Sequence, residues 1–431
     1  MNNGFLLLYG GIAAATVGTH LWLRSRREGR AKTEHQAAQQ AGLNEPSSLH
    51  PVVDAARCIG SGGCVTACPE AALGIVAGRA VLINAAACIG HGACFAACPI
   101  EAISLVFGTE KRGVDIPTVS PQFESNVPGI FIAGELGGMG LIRKAAEQGR
   151  QAIEALRGRR AAPDELDVLI VGGGPAGISA GLSAIEHKLR YRLIEQEETL
   201  GGAVYHYPRN KIAMTAPVKL ALIGTVRMTE VSKEYLLEFW NGVVKKTGLQ
   251  LNFRERMERV EREHDSFVVH TSLGSYRTRS VLLAIGRRGS PRKLDVPGEE
   301  SAKVVYRLVD AAQYQGQAVL VVGGGDSALE AAIALSEQPG TTVQLSYRSA
   351  AFNRVKEKNR SSLQRAVEAG RIELLLSSEV QEISAREVRL RAAGAKIARS
   401  NDAVIVCAGG VLPIPLLQQM GIEFQTKHGS L

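Results

Sequence analysis

Six of the seven cysteines fall in two short runs, "CIGSGGCVTACP" from Cys58 to Pro69 and "CIGHGACFAACP" from Cys88 to Pro99. Each run spaces its cysteines C-x5-C-x3-C: Cys58, Cys64 and Cys68, then Cys88, Cys94 and Cys98. Thiolate sulfur is a soft anionic donor suited to iron–sulfur clusters and zinc. Clustering of this kind argues for metal ligation over a disulfide framework. Zinc pairs usually come as C-x2-4-C, which is not the spacing here. Between the first two cysteines of each run stands another donor, Ser61 in one and His91 in the other. The remaining cysteine, Cys407, lies in the apolar run "AVIVCAGG" and reads as a buried strand residue.

The runs belong to an internal repeat. "RCIGSGGCVTACPEAAL" recurs as "ACIGHGACFAACPIEAI", and "AGRAVLI" between them reads as a short strand and turn. The repeat resembles the bacterial two-cluster ferredoxins, whose run is C-x2-C-x2-C-x3-C-P, with the second cysteine replaced each time. In that family the fourth cysteine of each run ligates the other cluster. The resemblance therefore implies one cluster on Cys58, Cys64 and Cys98 with Ser61 at its fourth corner. The other takes Cys88, Cys94 and Cys68 with His91 at its fourth corner. The chemistry allows three outcomes: Ser61 and His91 ligate iron, the fourth iron is open, or a three-iron cluster is left. The clusters are accordingly [4Fe-4S] or [3Fe-4S]; the competing reading is a decayed, metal-free module.

Two further motifs carry nucleotide chemistry. "DVLIVGGGPAGISAGLSA" runs from an apolar strand through Gly172, Gly174, Pro175, Ala176 and Gly177 into a helical pattern. Glu195 closes the next strand, where a ribose ligand belongs. Backbone amides at the helix start would hold a diphosphate. The second copy, "AVLVVGGGDSALEAAIAL", has Gly323, Gly325, Asp326, Ser327 and Ala328 in its loop. Its following strand ends in Arg348 with no carboxylate, and Arg354 follows. An arginine there favours a 2′-phosphate, hence NADP(H) over NAD(H). Two dinucleotide folds in one chain imply FAD with a pyridine nucleotide.

With these loops the chain resembles the thioredoxin reductase-like flavoproteins. "VLLAIGRRGSPRKLDVPGE" looks like their linker between domains, with Gly286 ending the A-T-G position and Ile285 in place of its Thr. The stretch before "GGGDSALE" has no cysteine, so the family's redox-active C-x-x-C is missing. Ferredoxin–NADP reductases and bacillithiol-disulfide-reductase-like proteins of the same fold lack it too. The family's second FAD motif is displaced: Gly113–Leu156, containing "VPGIFIAGELGGMGLI", matches it but precedes the first glycine loop. This implies a circular permutation, with old ends joined through "RGRRAAPDEL" and the new break between Leu431 and about residue 108. The FAD set implied is Gly172, Gly174, Pro175, Ala176, Gly177, Glu195, Gly202, Gly286, Gly134, Glu135, Leu141 and Ile142, with Glu135 replacing the usual Asp. Tyr205, His206 and Tyr207 occupy the segment that covers the flavin and are the side-chain candidates for catalysis, with packing as the competing role.

The expected architecture is α/β, with two Rossmann-like domains, a small α+β ferredoxin-like domain and one N-terminal transmembrane helix. Residues 1–24 are read as the anchor, 25–50 as a polar tether and 51–108 as the ferredoxin domain. Residues 109–295 with 400–431 form the FAD domain, and 296–399 the NAD(P)H domain. "GFLLLYGGIAAATVGTHLWL" has no charged residue, and five basic residues follow it. That pattern predicts an uncleaved single-pass anchor in a bacterial inner membrane, N-terminus outside and catalytic domains cytoplasmic. Much of the net charge of +8 clusters after this segment, which suits a membrane surface and not nucleic acid. The function expected is NADPH-dependent electron transfer through FAD and two clusters to an unidentified protein acceptor or donor. A redox sensor and a disulfide reductase without its own C-x-x-C are the alternatives. The family resemblance suggests a homodimer.

Overall fold

The computed structural model describes residues 3–40, 46, 49–110, 113–138, 140–207, 209, 211–215, 217–287, 289–352 and 355–429. The chain divides into two compact units. One is Met1–Gly113 with Ala351–Arg360 and His428–Leu431; the other is Val114–Ala350 with Ser361–Lys427.

The larger unit holds two parallel sheets, each seeded by an apolar run too short for a helix. The first has strands in the order Leu251–Asn252, Tyr191–Ile194, Val168–Val171, Val281–Leu283 and Ile130–Ile132. Every pairing is parallel. Strand residues alternate faces. Phe131, Val168, Ile170 and Leu282 therefore pack on helices Pro175–Glu186 and Ile142–Leu156, through Ala176, Ala180, Ile153 and Leu156. Ile130, Ile132, Leu169 and Val171 pack on the other side, against Phe267 and Val269 of an antiparallel meander and Leu417, Met420 and Ile422 near the C-terminus. The displaced segment thus supplies the sheet's edge strand and one of its helices. Strand Val114–Pro117 pairs antiparallel with Phe424–Lys427, which brings the two sides of the inferred break together.

The second sheet has the order Val304–Val305, Ala403–Val406, Ala318–Val322, Thr342–Tyr347 and Ile372–Leu376, again all parallel. This corrects the domain boundary placed at residue 400. Ala403–Val406 is a fully buried strand beside the second glycine loop, because "AVIV" has the unbroken apolar character of an interior parallel strand. The chain returns to the first sheet only after Gly410–Val411, which pairs with Ser290–Pro291. Cys407 follows the strand and is half-buried, not the fully buried strand residue expected.

The joint between the inferred old ends is tied to the first sheet by Asp167. Its buried carboxylate accepts from the Ala161 and Arg190 backbone N–H groups, both at 2.8 Å, and pairs with Arg160 and Arg190 at 3.2 Å. Burial alone would raise its pKa; these donors outweigh it and hold the carboxyl below the usual range. Asp167→Asn is expected to cost about 2 kcal/mol in urea unfolding at pH 7. A lowered native pKa gives stability that is present above the unfolded value near 4 and lost as pH falls through the native one. The difference between the two proteins should therefore narrow below about pH 4.

In the smaller unit, His50–Val53 pairs antiparallel with Ile103–Val106, and Leu73–Val76 forms a hairpin with Arg79–Leu82. One helix spans Asn3–Gln40. Its Ala31 methyl lies where a Cβ on Gly74 would come within 2.7 Å, Glu28 accepts from the Gly78 N–H at 3.1 Å, and Ala38 packs with Ala86. These contacts correct the tether expected from residue 25: the helix continues as far as Gln40. The membrane anchor is also corrected. Among the described residues no helix is long and apolar enough to cross a membrane. From Tyr9 to Leu23 the segment is diluted by three glycines, two threonines and His20, each of which makes its transfer into lipid less favourable. The single-pass inner-membrane placement fails with it.

Candidate functional site

The six motif cysteines separate into two hollows, and the separation crosses the two runs. Cys58 and Cys64 line one hollow with Cys98, Ser61, Ala80, Ile100 and Ile103. Cys88 and Cys94 line the other with Cys68, Glu70, His91, Leu82 and Leu105. The local cause is the same in both halves. Gly62 and Gly92 adopt left-handed backbone (φ 78° and 73°) and start the one-turn helices Gly63–Thr66 and Ala93–Ala96, which carry Cys64 and Cys94 inward. Those helices end two residues before Cys68 and Cys98, which turn toward the opposite hollow.

Electrostatics follow the geometry. Burial pushes the Cys94 thiol up to about 11, and the charges of Cys88 and Cys68 push the same way. Burial also raises Cys64, with Cys58 and Cys98 as its charged neighbours. Cys88 is raised by burial and by Cys68 and Glu70. Three thiolates so placed need a cationic core. Among the described residues no three His, Cys, Asp or Glu converge tightly enough for one metal ion. Three sulfurs spread around an apolar hollow fit a multi-iron cluster instead. The Ala80 and Ala102 N–H groups donate to the Cys58 and Cys98 sulfurs at 3.4 and 3.2 Å, contacts of the kind that tune a cluster's potential. His91 is half-buried on its hollow and Ser61 is exposed at the rim of the other.

The first glycine loop leaves Val171 at the C-terminal edge of its sheet. Gly172 has φ 112°, and a Cβ there would lie 2.5 Å from the Ala284 carbonyl oxygen. Gly174 caps helix Pro175–Glu186 with no side-chain cap, so its first amides are free for an anion. A Cβ on Gly177 would lie 1.8 Å from the Gly172 oxygen, which fixes helix against strand. Glu195 is buried and accepts from Gly173 N–H at 2.6 Å and Glu197 N–H at 3.0 Å. Burial nevertheless raises its pKa. Gly202 approaches Gly174, backbone to backbone. From the edge strand, Gly134 (φ 83°) lies over Ala176 and donates to Gln148 at 2.8 Å. Glu135 reaches toward Gly286, and Leu141 caps helix Ile142–Leu156. All twelve residues assigned to FAD thus stand at one sheet edge or on a helix that starts there. The glycine-lined cradle and the uncapped helix start fit a dinucleotide.

Arg287 was not anticipated. Its Nη2 donates to the Asp115 carbonyl at 2.9 Å, while Nη1 is buried with no partner. Burial lowers its pKa, against the charges of Glu135 and Asp115. It follows Gly286 directly, so the A-T-G position was the available signal.

The side chains considered for catalysis are engaged elsewhere. His206 pairs with Arg307 and has Nε2 3.5 Å from Glu197. Tyr205 packs edge-on to His206 with Lys233 over its ring, and the Tyr207 carbonyl accepts from Lys233 at 2.6 Å. In the second loop a Cβ on Gly323 would lie 2.4 Å from the Cys407 oxygen, and one on Gly324 would enter the Tyr347 ring. Gly325 caps helix Asp326–Ser336, which carries Ser327 and buried Ala328. Arg348 is exposed just beyond strand Thr342–Tyr347. Arg354 lies outside the described residues.

Comparison with known proteins agrees with this division. Residues 169–430 match the family model for pyridine nucleotide-disulphide oxidoreductase, and residues 50–99 match that for a 4Fe-4S dicluster domain. The ferredoxin–NADP reductase of Thermus thermophilus is 32% identical over 280 residues, covering 61% of this chain and 79% of that protein. Bacilliredoxin reductase Bdr of Bacillus subtilis is 27% identical, covering 61% and 82%. The solved bacillithiol disulfide reductase Bdr from Bacillus cereus shares the fold, with TM-score 0.55 and 24% identity over 60% of this chain and 82% of that one.

Proposed function

Because this chain belongs to the pyridine nucleotide-disulphide oxidoreductase family and carries a 4Fe-4S dicluster domain, we propose that it moves electrons between NADPH and its own iron–sulfur module through FAD. It is an NAD(P)H-dependent FAD oxidoreductase of the ferredoxin–NADP reductase kind. The dicluster domain stands here in the place of the separate ferredoxin named for those relatives. Bound FAD supplies the conversion between a hydride pair and single electrons, and the clusters carry the single electrons.

The protein's own groups bind and orient. Gly172, Gly174 and Gly177 let backbone approach a diphosphate at the helix start, and Glu195 accepts from ribose hydroxyls. Glu135, with Gly134, Leu141 and Ile142, lines the same cradle from the edge strand, and Gly286 closes it. Gly323, Gly325, Asp326, Ser327 and Ala328 repeat the arrangement for NADPH. The observation that carries the reading is the union, in one chain, of two glycine-edged parallel sheets with two three-cysteine hollows. No cysteine lies between Val304 and Ala328, so a dithiol relay has no residues to use there. FAD-loaded protein should reduce a one-electron dye with NADPH and leave a disulfide substrate untouched. Failure to reduce the dye would sink the proposal.

For nucleotide preference we assign Arg348 to the 2′-phosphate. A charge-assisted contact of this kind contributes about 1.5–3 kcal/mol, roughly 10- to 100-fold in affinity. Arg348→Ala should raise KM for NADPH by about that factor and leave KM for NADH unchanged. An equal rise for both nucleotides would remove the assignment.

A further inference from the structure

The two cysteine hollows are built by equivalent parts of a repeat, so a difference between equivalent positions is informative. The residue two beyond the last cysteine of each run enters the opposite run's hollow. In the first hollow it is Ile100; in the second it is Glu70. The swap puts a carboxylate where its counterpart is aliphatic. One of its oxygens, Oε1, is buried and has no hydrogen-bond partner. An unpaired buried carboxylate oxygen is costly, since nothing replaces the water it gave up. Here it lies on a hollow walled by three thiols, and the open need of that hollow is a fourth anionic donor.

We infer that Glu70 supplies the fourth protein ligand of the cluster in the second hollow, through its unpartnered oxygen, in place of His91. The inference rests on the reading that this hollow holds an iron–sulfur cluster. A carboxylate oxygen is an anionic donor, so with Cys68, Cys88 and Cys94 it restores the four negative charges that a four-cysteine site presents. The imidazole of His91 would supply none. His91 also lacks the feature that singles out Glu70, a fully enclosed donor atom with nothing to meet. The first hollow, with Ile100 and the exposed Ser61, has no equivalent carboxylate. The two clusters would then differ in the donor that completes them.

The test is iron and sulfide counting with EPR on anaerobically purified, full-length protein. Glu70→Ile copies the first hollow into the second, and Glu70→Gln keeps the shape while removing the anion. Both should lose one iron per chain relative to wild type and gain a three-iron signal in the oxidised state. His91→Ala should do neither, and Glu70→Asp should recover iron in part. Far-UV circular dichroism and an unchanged first-cluster signal would show that the fold survives. Unchanged iron and spectra in both Glu70 variants would overturn the inference, as would loss of that iron in His91→Ala alone. If wild type itself binds no iron, the cluster reading falls, and the inference with it.

Discussion

Gly149→Ala should yield a protein that purifies with little flavin and unfolds well below wild type. Gly149 lies in helix Ile142–Leu156, and by helix propensity alone alanine would stabilise that helix by about 1 kcal/mol. The contact decides the sign. A Cβ at this position would lie 2.0 Å from the Ala176 carbonyl oxygen and 2.8 Å from its carbon. These are backbone atoms in the first turn of the dinucleotide helix, so no side chain can swing aside. The helices must separate, and overpacking of this kind costs about 1–3 kcal/mol or more. The displacement falls on Ala176 and with it on the amides at the start of that helix. We expect the Kd for FAD to rise about tenfold or more, since 1.4 kcal/mol is a tenfold loss in affinity. Gly158→Ala is the control: it lies just beyond the same helix, and a Cβ there meets nothing within 4 Å. Full flavin content and an unchanged unfolding midpoint in Gly149→Ala would show that the displaced segment does not brace the first dinucleotide loop.

The difference between those two glycines marks what sequence could carry. The glycine loops, their strands and Glu195 were legible because a tight turn, a helix start and a ribose carboxylate occur at fixed short spacings. The displaced strand and helix were legible through a local motif, although their place at the sheet edge depends on residues far along the chain. What escaped was set by tertiary contact. "AVIVCAGG" reads as a strand in either domain, and only its pairing with Ala318–Val322 assigns it. The helix to Gln40 keeps its course because Ala31, Glu28 and Ala38 meet the cysteine module, which no property of a polar segment announces. Arg287 follows a glycine in a linker, and its buried, unpartnered nitrogen is visible only once Asp115 and Glu135 are seen beside it. Tyr347 over Gly324 is of the same kind.

The crossed sorting of the cysteines leads to the other large effect, and it can be read by iron content alone. Cys64 and Cys68 are one helical turn apart, yet they line different hollows; Cys64 and Cys98 are far apart in sequence and line the same one. A cluster left with only two thiolates, even beside a carboxylate, has too few sulfur ligands to persist. Each single variant, Cys64→Ala, Cys98→Ala, Cys68→Ala or Cys94→Ala, should therefore lose about half of the iron. The double variants separate the geometries, because changes within one cooperating set do not add whereas changes in independent sets do. Cys64→Ala with Cys98→Ala should still retain about half, since both act on one cluster. Cys64→Ala with Cys68→Ala should retain almost none, since each removes a different one. Ligation run by run predicts the reverse: the neighbouring pair would spare half of the iron and the distant pair would lose all of it. Retention of half by the Cys64 and Cys68 double variant would overturn the crossed arrangement.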